Sequence, residues 1–267
     1  MQPTVPFLFT DDHLAFQDAT RHFLRKTFAD SIADRAFSDE YPRYGLKQLG
    51  AVGLTGLAVP EEHGGQGADC ICLGIACEEA GWADPSIAYL VFSANVGADL
   101  INRLALPAVR DAVLPGVLDG EQIVCAAITE PGCGSDVAAM RTKAERVEGG
   151  WRLTGEKTSV TQAVHADLAI VFALTDPAQR ARGVSAFLVD LHDPTISRQR
   201  FTDPGLRSLG RGSITMDGTF VPDDHLLGEP GRGFHAVMHE FDLTRTLIAA
   251  MTLGTGQRAI DMAAAYS

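Results

Sequence analysis

"QIVCAAITEPGCGSD", residues 122–136, is where the chain changes character. Before it, apolar residues recur at helical spacing; after it, β-branched residues alternate with polar ones. Upstream, "DDHLAFQDATRHFLRKTF" (Asp11 to Phe28) opens on aspartates and sets Leu14, Phe16, Phe23, Leu24 and Phe28 on one broad side, which predicts an amphipathic helix. "YGLKQLGAVG" predicts a short helix ending at Gly53. "CICLGIACEEAGW" and "SIAYLVFSANVGADLINRL" predict longer, largely buried helices, and "PAVRDAVLPGVLDG" one begun by Pro107. The glycines of "VPEEHGGQGAD" predict a loop.

Downstream, "QIVCAAIT", "MRTKAERVE", "WRLTG", "KTSVT", "DLAIVFALT", "VSAFLVDL", "SRQRF" and "GSITMDGTFV" read as strands. Gly, Pro or Asp fills nearly every gap, at spacings typical of antiparallel β. "VEGGWRLTG" predicts a hairpin turning at Gly149–Gly150. Helical period returns after "EPGRGF" and predicts one long helix from about Gly233 to beyond Met262. It is apolar on more than one side, so it needs other helices around it. The fold class expected is α+β and multidomain. An all-α domain covers 1–122, an antiparallel β domain of barrel or sandwich type 123–228, and the first helix of a C-terminal bundle 229–267. The stop at Ser267 without a cap reads as a truncation, or as a chain whose last helix a partner covers.

A net charge of −12 argues against nucleic acid as a partner. No apolar run reaches the ~18 residues of a membrane span. The start "MQPTVPFLFTDDH" has no basic region of the secretory kind. Five irregularly placed cysteines fit reduced thiols in a cytoplasmic protein. Cys70, Cys72 and Cys77 lack zinc spacing and read as small buried helical residues, so no metal is expected. His63, His165, His225, His235 and His239 form no Ser/His/Asp set.

Helices, then a β domain, then a long helix is an uncommon order. With its motifs the chain resembles the acyl-CoA dehydrogenase family, flavoenzymes that introduce an α,β double bond into acyl-CoA thioesters. "VPEEHGGQG" (Val59 to Gly67) is similar to that family's Pro-Glu-Glu-aromatic-Gly-Gly loop, and "ITEPGCGSDVAAMRTKAE" (Ile128 to Glu145) to its most specific signature. "LTGEKTSVTQAVHADLAIVFALTDP", "TFVPDDHLLGEPGRGF" and "FDLTRTLIAAMTLGTGQRAIDMAAAYS" resemble the segments that follow, in order. The family continues into a further C-terminal helical region. That region usually carries the catalytic glutamate and much of the tetramer contact, so the resemblance implies that the general base lies outside this chain and that the chain alone is inactive.

Removing a β-hydrogen as hydride needs an acceptor that no side chain provides, and the resemblance implies FAD. It places FAD against Thr129 and Ser135, with backbone contacts from Ile128 and Gly134. On the residues alone, Gly132 and Gly134 allow close backbone approach, and Ser135 offers a hydroxyl and an N–H; the alternative is a tight Gly/Pro turn. The second flavin segment is "KTSVTQA" (Lys157 to Ala163). There the family packs an aromatic on the flavin where this chain has Ser159, while Thr161 keeps the threonine that bonds flavin N5. The alternative for Thr161 is a strand threonine with no ligand.

In "FDLTRT" the resemblance implies that Asp242, Thr244 and Arg245 line the acyl-CoA site with Ser135, and that Phe241 packs on the pantetheine. Some branched-chain and long-chain relatives carry the catalytic glutamate where Thr244 stands. The alternative is an Asp242–Arg245 helix pair. Glu240 lies close in sequence but points elsewhere around the helix. Arg207 and Arg211 of "GLRSLGRGS" face phosphate or make surface ion pairs. Cys133 stands where the family usually has alanine, as a reactive thiol or a spectator. The pocket's far end is expected along Tyr89–Leu100 and the long helix, and "FDLTRTLI" and "GLRSLGRGS" resemble the branch that oxidises cyclic acyl-CoAs.

The implied partners are acyl-CoA, an electron-transfer flavoprotein as acceptor, and further copies of the chain in a tetramer or dimer. Two rival readings remain: a flavin oxidase or monooxygenase of the same fold, and a base-lacking subunit that binds acyl-CoA for a partner.

Overall fold

The computed structural model describes residues 9–136 and 139–267. Val137 and Ala138 of the signature, and the first eight residues, lie outside the described residues. Helix α1 spans Asp11–Phe28, as the apolar period predicts. Thr10 caps it by accepting the His13 N–H, while His13 Nδ1 takes the Thr10 N–H at 3.1 Å. Then come α2 (Ile32–Ala36), α3 (Arg43–Ala51), α4 (Cys70–Ala83), α5 (Pro85–Leu104) and α6 (Pro107–Leu118). Asp69 caps α4 through the N–H groups of Ile71 and Cys72, and Asp84 caps α5 through that of Ser86.

The strands are β1 (Val124–Ala127), β2 (Lys143–Val147), β3 (Gly150–Val160), β4 (Leu168–Leu174), β5 (Val184–Asp190), β6 (Ile196–Arg200), β7 (Gly212–Pro222) and β8 (Leu226–Leu227). They form one sheet in the order β6-β7-β3-β2-β4-β5-β8, with β1 also paired to β4. Two features differ from the sequence expectation. "WRLTG" and "KTSVT" are a single strand, and the β2–β3 turn lies at Glu148–Gly149, because Gly150 already pairs with Val147. Gly149 takes φ +75°, which suits the two-residue turn. Second, β1–β4 and β2–β4 are parallel in an otherwise antiparallel sheet. Parallel neighbours need a long crossover, and the intervening β2–β3 hairpin provides it between β1 and β4.

One core runs from the helices into the sheet, joining Leu24, Leu49, Ile87 and Leu90 to Ile123, Leu153, Phe187 and Ile214. The last helix, α7, spans Gly233–Tyr266 and lies along α4. Their backbones pass so closely that a Cβ on Gly254 would sit 1.9 Å from the Glu78 carbonyl oxygen, and one on Gly81 2.1 Å from that of Met251. Arg258 of α7 closes the C-terminal end of α4, donating to the carbonyls of Trp82 and Ala83. Beyond that seam, Leu253, Ile260, Met262 and Tyr266 are exposed, in keeping with an apolar pattern on more than one side. No helix among the described residues is long and apolar enough to cross a membrane.

Candidate functional site

The 128–136 loop leaves the end of β1 and is fixed by a buried ion pair. Glu130 and Lys157 are 6% and 0% exposed, and Lys157 Nζ lies 2.8 Å from Glu130 Oε1. The same ammonium donates to the Ile128 carbonyl at 3.1 Å, and the Glu130 carboxylate accepts the N–H groups of Arg141 and Thr142 at 2.6 and 3.0 Å. Burial pushes the Glu130 carboxyl up, but the Lys157 charge and the hydrogen bonds from Lys157 and Thr142 outweigh it and hold it below the usual carboxylate range. Burial draws the Lys157 ammonium down, and Glu130 resists. This pair is a functional feature the motif reading missed. Its signal was a lysine at an inward position of β3, between the buried Leu153 and Val160.

The loop folds on that anchor. Glu130 and Cys133 exchange both backbone hydrogen bonds, at 2.9 and 3.0 Å, which sets Pro131 and Gly132 at the corner. Pro131, Gly132, Gly134, Ser135 and Asp136 are exposed, while Ile128 and Thr129 are half-buried. A Cβ built on Gly132 or Gly134 meets no atom within 4 Å, and neither residue has a left-handed φ. The fold itself therefore makes no demand for glycine at either position. Cys133 is buried, donates to the Asp136 carbonyl and has its thiol raised chiefly by burial, which fits a spectator.

The second segment is joined to the first. The Thr158 N–H donates to the Thr129 carbonyl at 2.8 Å, so the end of β3 lies beside the loop. Between Lys157 and Val160 the β3–β7 register shifts, leaving Thr158 and Ser159 opposite Ser213 alone. At this bulge Ser159 takes φ +55° and faces solvent. Its Oγ receives a hydrogen bond from Arg211, which is also paired with Asp203. Arg207 makes a surface ion pair with Asp39. Thr161 is half-buried and bonds the Tyr89 phenol, whose pKa burial pushes up to about 12.

Beneath these segments lies a cavity of about 40 Å³. Its walls include Tyr89, Phe92, Ser93 and Val96 of α5, Cys125 and Ala126 of β1, and Gln162. The α5 residues are those expected to line the pocket; no α7 residue does. Thr129 thus lies beside the C-terminal end of β3, where Ser159 and Thr161 follow, while Gly134 and Ser135 stand exposed farther along the loop.

The α7 residues stand apart. Thr244 is buried, and Phe241 is half-buried with Met238 against a separate group of core residues that includes Ile101, Val124, Phe172 and Leu188. Asp242 and Arg245 are 81% and 69% exposed and approach each other at 3.9 Å, the helix-pair arrangement. Glu240 points at α5, where it pairs with Arg103 at 2.8 Å.

Cys77 is buried as expected, but Cys70 is exposed and Cys72 half-buried, because both lie in the first turn of α4 at the surface. Cys72 also lies near His13 and Asp69, within 4.8 Å between possible ligand atoms. There the His13 Nε2–Asp69 Oδ2 contact is a 3.0 Å hydrogen bond that ties α1 to the cap of α4. His235 and His239 are exposed.

The chain matches two family models, one described as acyl-CoA dehydrogenase, N-terminal domain, over residues 10–121, and one as acyl-CoA dehydrogenase, middle domain, over residues 125–219. It is similar to the mitochondrial isovaleryl-CoA dehydrogenase of Oryza sativa subsp. japonica, at 33% identity over 97% of this chain and 64% of that protein. It is similar to the acyl-CoA dehydrogenase of Bacillus subtilis (strain 168), at 31% identity over 97% of this chain and 69% of that one. Among solved structures it is similar to a glutaryl-coenzyme A dehydrogenase–glutaryl-CoA complex, with TM-score 0.93, 29% identity, and 97% and 67% of the two chains covered. The chain therefore spans just under two thirds of the length of the rice protein.

Proposed function

The chain belongs to the acyl-CoA dehydrogenase family, and from that premise we propose that it carries the flavin- and acyl-binding part of an enzyme that desaturates an acyl-CoA thioester between Cα and Cβ. Ile128, Thr129, Gly134, Ser135, Ser159 and Thr161 would hold FAD. Bound there, FAD supplies the hydride acceptor that side chains lack. The observation that carries this reading is the pair of open glycines in a braced loop. Gly132 and Gly134 need no glycine for the fold, and the buried Lys157–Glu130 pair holds the loop in place. Backbone N–H groups and the Ser135 hydroxyl are suited to pyrophosphate oxygens, and Thr161 to the polar edge of the ring. Ser159 offers no stacking face, so the ring loses the contact an aromatic would add there.

Ser135, Phe241, Asp242, Thr244 and Arg245 would bind the CoA thioester. The α-proton needs a positioned carboxylate; Glu130 is engaged with Lys157 and Glu240 with Arg103, and Asp242 lies exposed beside Arg245. We assign the base to the part of the relatives' length that this chain does not span. An electron-transfer flavoprotein is the proposed electron acceptor, and the exposed apolar residues of α7 fit packing against further helices or copies.

The test is spectral. Protein purified with its natural sequence should be yellow, and an acyl-CoA should bleach the flavin in the absence of oxygen. A colourless protein that takes up no FAD, or a flavin that no acyl-CoA reduces when the region assigned the base is present, overturns the reading.

A further inference from the structure

Where α1 meets the start of α4, three side chains from two helices converge. They are His13 in the first turn of α1, Asp69 at the N-cap of α4 and Cys72 in its first turn. One ligand atom from each lies within 4.8 Å of the other two. His13 is buried, Cys72 half-buried and Asp69 exposed, so the group is held from the inside and open to solvent on one side.

Capping does not account for the group. Asp69 caps α4 through Oδ1, which accepts the N–H groups of Ile71 and Cys72 at 3.0 Å each. His13 closes its own capping box through Nδ1, which takes the Thr10 N–H at 3.1 Å. The atoms left over, His13 Nε2 and Asp69 Oδ2, meet at 3.0 Å across 56 positions of sequence, with the Cys72 thiol beside them. Because Nδ1 accepts, the ring proton is assigned to Nε2 and is given to Asp69.

We propose that His13 Nε2, Asp69 Oδ2 and the Cys72 thiolate bind one zinc ion that clips α1 to α4, with water completing a tetrahedron. An imidazole, a carboxylate and a thiolate suit zinc, whereas magnesium and calcium take oxygen ligands. Carboxylate and thiolate together neutralise the divalent charge. In a tetrahedral site with ordinary zinc bond lengths, nitrogen and oxygen stand about 3.3 Å apart, and sulfur about 3.6 Å from either. The His13–Asp69 contact is already close to that spacing, and rotation about the Cys72 Cα–Cβ bond brings the sulfur in. The thiol proton passes to solvent. The ring proton leaves Nε2, and Nδ1 takes one that it donates to Thr10 Oγ1, 3.2 Å away. No electron moves, and Thr10 orients the ring behind the metal. The spacing of Cys70, Cys72 and Cys77 gives no sign of this site, because one of the three joins residues brought from elsewhere in the chain. None of the residues proposed to hold flavin or thioester takes part, so the site stands or falls independently of that reading.

The experiment uses the full chain, reduced and stripped of metal with a chelator, and adds cobalt(II) or zinc(II) chloride. Cobalt should bind at one equivalent and give a thiolate-to-cobalt charge-transfer band in the difference spectrum, and zinc should displace it. Cys72→Ser, His13→Gln and Asp69→Asn should each weaken cobalt binding at least about tenfold. Glutamine still serves the capping box and asparagine the N-cap, so these changes remove a ligand and keep the helix ends. Cys70→Ser should bind as the wild-type protein does. Alkylation of the wild-type protein needs no variant: zinc should slow the reaction of Cys72 with iodoacetamide at least about tenfold and leave that of the exposed Cys70 unchanged. A cobalt spectrum without the thiolate band overturns the proposal, as does zinc that protects Cys70 and Cys72 alike or neither. Binding that survives in both Cys72→Ser and His13→Gln also overturns it, and places the metal at other histidines, such as the exposed His235 and His239.

Discussion

Lys157 Nζ lies 2.8 Å from Glu130 Oε1, and neither side chain reaches solvent to a useful extent. The contact joins the middle of β3 to the base of the 128–136 loop, and through it the two segments proposed to hold the flavin. Each charge costs several kcal/mol to bury and is offset only while the other is present. Lys157→Met strands the carboxylate, and Glu130→Gln strands the ammonium. Each single change is expected to cost about 3–5 kcal/mol of stability. The double variant should be less destabilised than the sum by about 1–3 kcal/mol. Urea unfolding of all three variants checks this, and simple additivity would mean that the two charges do not act as a pair.

Gly134 gives a cleaner test of whether the loop is shaped for a ligand. A side chain there meets nothing within 4 Å and no left-handed φ opposes it. Gly134→Val should therefore change the stability of the flavin-free protein by no more than about 0.5 kcal/mol. The same branched side chain stands where the pyrophosphate is proposed to lie, so retention of FAD through gel filtration should drop sharply. A variant that is destabilised without FAD would point to a structural role for the glycine. A variant that retains FAD as the wild-type protein does would remove Gly134 from the proposed site.

What could be read from the sequence was local. The period of α1 gave both its ends, since an amphipathic face and its cap lie within a few residues. The hairpin was readable too, but two adjacent glycines left its turn ambiguous by one residue, and only the pairing of Gly150 with Val147 decided it. The parallel β1–β4 pairing was not readable, because it depends on strands separated by a whole hairpin. Candidate flavin residues were found through motif resemblance. The forces that hold them were not: Lys157 with Glu130, Gln162 with Tyr41 and Arg103 with Glu240 join residues 27, 121 and 137 positions apart. No periodicity carries information over such separations. The bulge at Ser159 was hidden for a related reason, since its positive φ follows from a register shift against β7.

That bulge makes a prediction of its own. Ser159 is exposed at φ +55°, where an L side chain is strained and glycine is not. Its hydroxyl accepts from Arg211, which keeps its ion pair with Asp203 in any case. Ser159→Gly should therefore raise stability by about 0.5–1 kcal/mol, and Ser159→Val should lower it by about 1–3 kcal/mol. Thermal or urea unfolding of the two variants gives the answer. A glycine variant less stable than wild type would mean that the Arg211 hydrogen bond outweighs the backbone strain.

The buried carboxylate of α7 predicts a dependence on pH. Glu240 pairs with Arg103 at 2.8 Å, but Arg103 is shared with Asp99 at 2.6 Å. Burial comes first and the Asp99 charge second in raising the Glu240 pKa, and together they overcome Arg103 and bring it from 4.5 to about 7. A folded-state pKa above the unfolded value means that the bound proton stabilises the fold. That contribution is complete below about pH 4.5 and is lost as the pH rises through about 7. Stability should thus decline between these limits by an amount on the order of a few kcal/mol. Glu240→Gln keeps the shape without the titration, and it leaves Arg103 its Asp99 partner. Urea midpoints from pH 5 to pH 8 should decline more steeply for wild type than for Glu240→Gln. Parallel pH profiles would place the titrating group elsewhere and leave Glu240 an ordinary paired carboxylate.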